Sequence, residues 1–499
     1  MTIDDNIENI HRLASLQGYE QEGSSYASIH QVFVAHVETL TKKKSKPPQS
    51  SSPELVLVDT IRSKGMNTIS RAFYAAATGK GTKTNALLHF QDTAHKINAA
   101  IVTCGGLCPG LNNVIREVTK TLYNQYHAHQ VWGVTGGWHG FWNDDYPPIL
   151  LTNQSVEHVH HQGGSFLRTS RGGLNVQKTV EFLKQYDISH LYIVGGDGTH
   201  RAAYQIHEHC RNLALDVAVV GIPKTIDNDI DYLDRSFGFL TAVEAAQASI
   251  RTALIEAKCT VPNGIGVIKL MGREAGFLAA FAALGSGGDV DAVLVPEVPI
   301  ILEGPQGILP FIHQRVQEKK YAVVVVAEGA GQELLERVQE REKGSGNKKL
   351  PPIAEFMRDQ IQEYCTHQGL ETRMKFVDPS YSVRSVPANA ADSLYCTQLA
   401  QAAVHGAMMG YTGFSVGLVN NRVVYIPIPQ LVASSPRFMN PCGEVWARVL
   451  AMTGQPSPSA TGTGPTTATS TANESHEPNG ATTTGGEPCF PTLPEPNVH

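Results

Sequence analysis

The chain has 499 residues, of which 40 are Lys or Arg and 46 are Asp or Glu, so its formal net charge is −6 at pH 7. Four Glu lie in the Pro-, Ser-, Thr- and Gly-rich stretch from Gln455 to His499, which has no Lys or Arg, and this leaves −2 for everything before it. A body so close to neutral argues against binding to duplex nucleic acid, and the lack of any run of roughly 18 apolar residues argues against a membrane span.

The first 95 residues predict an extension ahead of the folded core. Apolar residues between Ile7 and Leu16 recur at helical spacing, and the Lys-, Pro- and Ser-rich residues 42–53 predict an exposed linker. The start of the chain is acidic and has no apolar core, which argues against a secretory signal. Eight Cys without dense spacing indicate reduced thiols. We therefore expect a cytoplasmic protein.

From about residue 96, short apolar runs alternate with longer helical patterns, which is typical of parallel βαβ units. A later pair of apolar runs around Asn420 and Asn421 predicts a hairpin. The other apolar runs predict buried strands over residues 98–103, 190–195, 216–223, 264–271, 291–298 and 321–329. The helical patterns lie over Asn112–Tyr126, Val176–Tyr186, Thr199–Cys210 and Gly238–Ala257.

This order of elements predicts an α/β fold with mainly parallel sheets in two Rossmann-like lobes. We expect one lobe over residues 96–260 and a second over residues 261–454, with a crossing of the chain between the lobes allowed. Residues 455–499 cannot bury enough apolar surface to offset their ordering entropy, so we predict a disordered tail.

Two predicted strands end in glycine-rich loops, and open parallel sheets bind ligands at the carboxyl ends of their strands. In TCGGLCPGLNN (103–113), glycines such as Gly105 let the backbone approach an anion such as phosphate. In GGDGT (195–199), the loop opens a helix, and Asp197 offers a hard oxygen ligand for Mg²⁺. The structural alternatives are an ordinary turn in the first loop and a helix cap at Asp197 in the second.

The loop PKTIDND (223–229) follows a buried strand and concentrates polar groups. Asp227 and Asp229 are two residues apart, and side chains at this spacing in an extended segment point the same way. Lys224 lies close by in the sequence. The two carboxylates can therefore converge on one substrate, one as a base and the other near a metal; the alternative is a polar surface turn.

Two further loops supply cations. MGREAG (271–276) places Arg273 at a strand end, where its planar guanidinium suits a transferring phosphoryl group. TSRGG adds Arg171 and Gly172 in another glycine-rich loop. Glycine amides, a Mg²⁺ ligand, cations and an oriented nucleophile are the parts that phosphoryl transfer requires.

Seven motifs in this order resemble the 6-phosphofructokinase family: TCGGLCPGLNN, TSRGG, GGDGT, PKTIDND, MGREAG, VVVVAEG and DPSYSVRSVPANAAD. The similarity runs from about residue 96 to about residue 445 and is most marked for the long ATP-dependent members of plants and some protists. GGDGT alone would not identify the family, because NAD kinases and lipid kinases have a similar loop. The resemblance implies the phosphofructokinase fold and Mg²⁺-dependent transfer of the ATP γ-phosphate to the 1-hydroxyl of fructose 6-phosphate.

The resemblance implies that the lobe over residues 96–260 binds the nucleotide and that the lobe over residues 261–454 binds the sugar phosphate. It also implies roles for individual residues. Asp227 is matched to the base that accepts the hydroxyl proton, Arg273 to a second catalytic group, and Asp197 to the Mg²⁺ ligand. The residues matched to the nucleotide phosphate site are Gly105, Arg171, Gly172, Gly196, Asp197, Gly198 and Thr199. Those matched to the sugar-phosphate site are Thr225, Ile226, Asp227, Asp229, Met271, Gly272, Arg273, Glu328, Tyr381 and Arg384, with Lys375 as a helper.

The phosphoryl donor depends on one position of the resemblance. Pyrophosphate-dependent members of the family have a second Asp after the GGD motif, whereas this chain has Gly198, which favours ATP. Lys224 is shared by pyrophosphate-dependent and long ATP-dependent members and decides little. The alternatives are a pyrophosphate-dependent enzyme and a non-catalytic regulatory subunit, although such subunits usually lose the groups matched by Asp227 or Asp197.

One departure from the family concerns subunit contacts. Gly264 stands where bacterial members have an Arg donated across a subunit interface to the 6-phosphate, so the shared site and the allosteric behaviour built on it do not carry over. Family members are commonly homo-oligomers, which is what we expect here. The expected ligands are fructose 6-phosphate and ATP, with no nucleic-acid or membrane partner.

Overall fold

The computed structural model describes residues 97–335, 350–433 and 435–457. The predicted helix between Ile7 and Leu16, the linker over 42–53 and residues 458–499 of the predicted tail lie outside the described residues, so these predictions stay predictions.

The described strands are mostly short and buried, as apolar runs in parallel sheets should be. In chain order they are β1 (Asn98–Thr103), β2 (Gln130–Val134), β3 (Ile149–Leu151), β4 (His190–Gly195), β5 (Ala218–Pro223), β6 (Gly264–Leu270), β7 (Ala292–Leu294), β8 (Tyr321–Ala327), β9 (Arg373–Val377), β10 (Phe414–Val419) and β11 (Arg422–Pro427).

The helices fill the connections between strands, and short 3₁₀ turns cover Gly137–Phe141, Val159–His161 and Gln332–Leu334. None of the helices within the described ranges is long and apolar enough to cross a lipid bilayer. The helices are α1 (Leu111–Tyr126), α2 (Val176–Gln185), α3 (Asp197–Asn212), α4 (Phe239–Cys259), α5 (Phe277–Gly285), α6 (Ile308–Lys319), α7 (Ile353–His367), α8 (Ala390–Met408), α9 (Ile428–Ala433) and α10 (Glu444–Thr453).

Two mainly parallel sheets organise the fold, which confirms the predicted class. The larger sheet has the strand order β11-β10-β5-β4-β1-β2-β3, and only its two edge strands run antiparallel to their neighbours. The smaller sheet has the order β7-β8-β6-β9, with every pair parallel. The predicted strands and helices are present within a few residues of their expected bounds, except that the run over 291–298 contributes only the three residues of β7.

The second predicted lobe is not one continuous stretch of chain. After β9 the chain crosses back, and β10 pairs in parallel with β5 through Phe414 and Val220. The β10–β11 hairpin therefore extends the larger sheet, so the chain crosses between the lobes as the prediction allowed, and the hairpin does not belong with the smaller sheet. The physical reason is that the edge of β5 needs a partner for its backbone groups, and β10 supplies it.

The start of the predicted disordered tail also needs correction. Gln455 is buried, and its side-chain amide accepts a hydrogen bond from Val293 N at 2.7 Å and donates one to Val293 O at 2.9 Å. The amide thus satisfies the backbone of β7, an edge strand of the smaller sheet. An ordered segment therefore continues past Gly454.

A single buried cluster joins the two sheets. It extends from Ile101 and Val194 in the larger sheet, through Ala246 on α4, to Val325 in the smaller sheet. Because close-packed side chains resist displacement, the loops at the carboxyl ends of both sheets are held in a fixed relation. Those loops include most of the motifs that the sequence singled out, and TSRGG lies beside one of them through the hydrogen bond from Gly105 N to Ser170 O.

Candidate active site

The two glycine-rich loops that follow β1 and precede α2 are hydrogen-bonded to each other. Gly105 N donates to Ser170 O at 2.9 Å, and Thr169 Oγ1 donates to Gly105 O at 2.8 Å. Gly105 has a φ of 87°, which favours glycine. These bonds bring Arg171 and Gly172, both exposed, beside the loop after β1.

Lys224 lies beneath the same loop. Its side chain is buried, and Nζ donates to Gly106 O at 2.7 Å. Burial lowers the pKa of Lys224, and the positive charge of Arg171 acts in the same direction. The ammonium therefore positions the glycine loop and adds positive potential under it.

The GGDGT loop opens α3 directly. Gly196 precedes the first helical residue, Asp197, whose carboxylate is half exposed and pairs with Arg201 Nη2 at 3.1 Å. A Cβ built on Gly198 meets no described atom within 4 Å, so this position faces open space. Thr199 is buried and packs against Gly195.

The loop after β5 holds the two predicted carboxylates. Thr225 Oγ1 donates to Asp229 Oδ1 at 2.6 Å and accepts from Asp227 N at 3.2 Å, so one hydroxyl links both residues. Ile226 lies between them with its side chain buried in the core. It can therefore offer a ligand only its backbone.

Asp227 has the electrostatic character of a proton acceptor. Its Oδ1 is buried and accepts no hydrogen bond from any described residue. Burial, followed by the negative charges of Asp229 and Glu328, raises its pKa to about 8, and Arg273 opposes this shift through its backbone N–H and its charge. Burial also raises the pKa of Asp229. Two carboxylates of unequal environment are a pattern typical of acid–base sites.

The loops after β6 and β8 approach Asp227 from the smaller sheet. Gly329 N donates to Gly272 O at 2.9 Å, which joins the two loops. Gly272 has a φ of 130°, and a Cβ there would lie 2.6 Å from Ala275 O, so this turn requires glycine. Burial raises the pKa of Glu328, while Arg273 lowers it. Met271 is half-buried at the strand end.

Tyr381 and Arg384 lie in the loop after β9. The Tyr381 ring is exposed, at 74%, and the Arg384 guanidinium stacks over it at 5.0 Å from the ring centre. Arg384 Nε is buried and has no hydrogen-bond partner among the described residues. A cation held in this way is available to an anionic ligand.

A family model described as Phosphofructokinase matches residues 98–407, which is more than half of the chain and includes almost all of these loops. The chain belongs to the phosphofructokinase family. ATP-dependent 6-phosphofructokinase 4, chloroplastic, of Arabidopsis thaliana is 46% identical over 366 residues, which cover 72% of this chain and 68% of the relative. ATP-dependent 6-phosphofructokinase of Amycolatopsis methanolica is 40% identical over 428 residues, which cover 84% of this chain and 91% of the relative.

Solved phosphofructokinases share the fold. A pyrophosphate-dependent phosphofructokinase from Marinobacter aquaeolei superposes with a TM-score of 0.57 over 69% of this chain and 86% of that chain. Its sequence is 21% identical, so this likeness concerns architecture alone.

Gly264 has a packing reason in this phosphofructokinase. A Cβ there would overlap Ala257 O of α4, because β6 and α4 come into close contact at this point. An Arg at this position, as in bacterial members of the family, would require α4 to move.

The acidic groups fit a magnesium ion that arrives with a nucleotide. Within the described ranges, no group of three or more His, Cys, Asp or Glu side chains forms a metal site. Mg²⁺ in kinases is usually held by one or two carboxylates together with substrate phosphates and water. Asp197 is a half-exposed carboxylate whose charge raises the pKa of Asp229, so negative charge collects at this edge of the sheet. Asp197, together with the phosphates of a nucleotide and water, therefore supplies ligands of the kind that Mg²⁺ requires.

Two basic groups beside the loops, Lys269 and Arg437, are absent from the site that the sequence predicts. Lys269 on β6 pairs with Asp378 at 2.9 Å, and its charge lowers the pKa of Glu328. In the sequence, the signal for this ion pair is a Lys within an otherwise apolar strand. Arg437 contacts the loop after β5 from a distant part of the chain, and nothing in its sequence context indicates this. Lys375, the predicted helper, pairs instead with Glu256 at 3.3 Å.

Cys104 and Cys108, near the site, are buried thiols, and all seven described cysteines are free. Burial raises the pKa values of Cys104 and Cys108, which keeps both protonated at neutral pH.

Proposed function

We propose that the protein is an ATP-dependent 6-phosphofructokinase, which converts fructose 6-phosphate and ATP to fructose 1,6-bisphosphate and ADP. The observation that carries the proposal is the convergence of Asp227 with Arg273 and Glu328, groups from loops of two different sheets. The ATP-dependent names of relatives at 46% and 40% identity support the choice of reaction.

Asp227 acts as the base in this reaction. Its buried carboxylate accepts the proton of the sugar 1-hydroxyl as the oxygen attacks the γ-phosphorus, a role that contributes about 10²–10⁴-fold. Thr225 and Asp229 hold the loop in place through their shared hydrogen bonds. Arg273 lies close enough to change the pKa of Asp227, and it neutralises charge that develops on the transferring group.

The nucleotide phosphates bind against the glycine loops of the larger sheet. Gly105, Gly172 and Gly196 leave room for close approach of the backbone, and Arg171 supplies positive charge. Asp197 would hold a Mg²⁺ ion, which supplies charge neutralisation at the phosphates when it is bound. Gly198 and Thr199 begin α3 at the same place.

The sugar phosphate binds across the loops of the smaller sheet. Glu328 accepts hydrogen bonds from sugar hydroxyls, and Met271 and Gly272 lie along the ring. Arg384, stacked on Tyr381, binds the 6-phosphate. With the nucleotide on the loops of the larger sheet and the sugar phosphate on those of the smaller sheet, the acceptor hydroxyl lies between Asp227 and the nucleotide.

Gly198 decides the donor in this proposal. The space around it admits the body of a nucleotide, whereas an Asp there would fill that space with bulk and negative charge. Pyrophosphate is the second candidate, because Lys224 is compatible with either donor. The homo-oligomeric state and the cytoplasmic location stay predictions, and the Arabidopsis thaliana relative is named as chloroplastic.

A comparison of the two donors tests the proposal. Purified protein is given fructose 6-phosphate and Mg²⁺ with either ATP or pyrophosphate, and fructose 1,6-bisphosphate is measured through aldolase-coupled NADH oxidation. We expect turnover with ATP and at least about tenfold less with pyrophosphate. Faster turnover with pyrophosphate would overturn the assignment of the donor, and no product with either donor would overturn the assignment of the reaction.

A further inference from the structure

The segment Ser435–Met439 contacts the loops of both sheets from far along the chain: Ser435 lies 204 residues after Asp231, and Met439 lies 142 residues after Glu297. At one end, Ser435 Oγ accepts a hydrogen bond from Asp231 N at 3.1 Å. At the other end, Met439 N donates to Glu297 Oε1 at 2.8 Å, and Glu297 also accepts from Gly276 N at 2.9 Å. The segment thereby joins the loop after β5 to the loop after β6.

Arg437 is the centre of this segment. Its backbone N–H donates to Asp229 O at 2.7 Å, directly beside the candidate base loop. Its guanidinium donates from Nε to Asn228 O at 3.0 Å and from Nη1 to Leu233 O at 2.6 Å. One side chain thus holds two carbonyl groups that are five residues apart in the loop.

The same guanidinium reaches the smaller-sheet side of the cleft. It stacks over the ring of Phe277, the first residue of α5, with Cζ at 4.9 Å from the ring centre. Burial lowers the pKa of Arg437, and the charges of Asp231, Asp229 and Asp234 oppose this shift. A planar cation with a fork of donors can bond carbonyls at its edge and stack through its face, which the point charge of Lys cannot do.

The loop that Arg437 holds has little regular structure of its own. Asn228 adopts a φ of 57°, and its side chain accepts from Ser236 N at 2.8 Å. Between Pro223 and Phe239 no helix or strand fixes the backbone. Hydrogen bonds within the loop, together with the contacts that Arg437 makes from outside it, therefore determine where the Asp227 carboxylate lies.

We propose that Arg437 is a positioning residue for phosphoryl transfer, which fixes the loop of Asp227 and Asp229 against Phe277 so that base and phosphoryl group are aligned. This inference rests on the proposed function. The guanidinium of Arg437 is engaged by two loop carbonyls and by the ring of Phe277, so its loss should affect the rate of the chemical step more than nucleotide binding.

The test compares Arg437→Met and Arg437→Lys with the full-length wild type. We expect kcat to fall about 10–100-fold in Arg437→Met, because a misplacement of about 1 Å can cost about 10²-fold in rate. KM for ATP should change less than about threefold. Arg437→Lys keeps the charge but loses the fork of donors, so it should recover part of kcat. Arg448→Met is the matched control, since Arg448 is exposed on α10 and pairs with Glu444 at 2.7 Å.

Two outcomes would overturn the inference: kcat in Arg437→Met within about twofold of the wild type, or parallel losses of kcat, ATP binding and Tm with no recovery by Lys. If Arg437→Met does not fold, Arg437→Lys decides, because unchanged kcat in that variant contradicts the positioning role. A wild type that does not phosphorylate fructose 6-phosphate would defeat the proposed function instead, so the two failures are distinguishable.

Discussion

Asp227 is the residue on which the proposed chemistry depends, and its environment resists ionisation. Its carboxylate is buried without a hydrogen bond to Oδ1 from the described residues, and Asp229 and Glu328 add negative charge. A base in this setting accepts a proton readily once it is ionised, but it is ionised only at raised pH. Both consequences are measurable.

The pH dependence of turnover should report Asp227. Its pKa of about 8 predicts that kcat/KM for fructose 6-phosphate rises with pH and is half-maximal near pH 8, falling about tenfold per pH unit well below that. The profile is measured from about pH 6 to about pH 10 at saturating ATP. An acid limb centred below about pH 6 would contradict the raised pKa.

The same pKa makes a prediction about stability. In the unfolded chain Asp227 ionises near pH 4, whereas the folded state keeps it protonated to about pH 8, so its stabilising contribution is lost as pH rises between these values. Asp227→Asn, which carries no charge, should therefore raise Tm relative to the wild type at about pH 9. The difference should shrink towards zero near pH 4. A Tm difference independent of pH would contradict burial of the charge.

Gly198 allows the donor preference to be changed without disturbing the fold. A side chain there points into open space, so Gly198→Asp should leave Tm within about 2 °C of the wild type while raising KM for ATP at least about tenfold. The reason is that an Asp places bulk and negative charge where the nucleotide binds. Unchanged ATP kinetics in this variant would show that position 198 does not select the donor.

At the scale of elements, the loops depend on how closely β6 packs against α4. Gly264 and Gly266 both face this helix, but a Cβ at Gly264 would overlap Ala257 O, whereas one at Gly266 would lie 3.1 Å from Ala253 O. The close packing of β6, the strand that leads into the loop of Arg273, against α4 therefore depends on glycine at position 264.

These two glycines form a matched pair for mutation. Gly264→Ala should lower the free energy of unfolding by about 1–3 kcal/mol, the usual cost of overpacking, because a backbone atom must move. Gly266→Ala should cost clearly less. Both are measured by urea denaturation. Equal losses would show that the contact with α4 does not determine the strand's stability.

The elements that the sequence predicted are those with a strong local signal. β1, β4, β5, β6 and β8 are continuous apolar runs followed by glycine-rich loops, and such runs identify buried parallel strands. The sequence did not reveal β2, the three-residue β3, or β9, which is half exposed and carries Arg373 and Lys375, and none of the helical patterns singled out lies after α4. None of these three strands has a run long or apolar enough to stand out from its surroundings.

The sequence indicates the loops of the candidate site to about the same extent as it indicates the strands. Loops at the ends of the predicted strands carry almost all of the proposed groups, because chain order and strand polarity together place them at one edge. Arg437 was not predictable, since it reaches Asn228 and Leu233 through a return of the chain that no local pattern encodes. Ile226 was placed in the site by its motif, but its side chain belongs to the core.

At the scale of the whole molecule, the distribution of charged residues explains more about the binding of phosphorylated ligands than the net charge does. The chain before Gln455 carries a formal charge of only −2, yet the loops at the carboxyl ends of the strands carry Lys224, Arg273 and Arg384, and Arg171 lies beside the loop after β1. Cations gathered in one cleft raise the local concentration of phosphorylated ligands without a basic surface elsewhere. The crossing of the chain at β10 adds to this arrangement, because it ties the end of the chain to the sheet that carries Asp227.

The most direct measurement is made on Asp227→Ser. Turnover of fructose 6-phosphate with ATP should fall at least about 10²-fold in this variant. Binding of fructose 6-phosphate, measured by calorimetry, should remain within about threefold of the wild type, since the variant leaves Glu328 and Arg384, the proposed ligand contacts, unchanged. Turnover at the wild-type rate would contradict the assignment of Asp227 as the base that drives phosphoryl transfer.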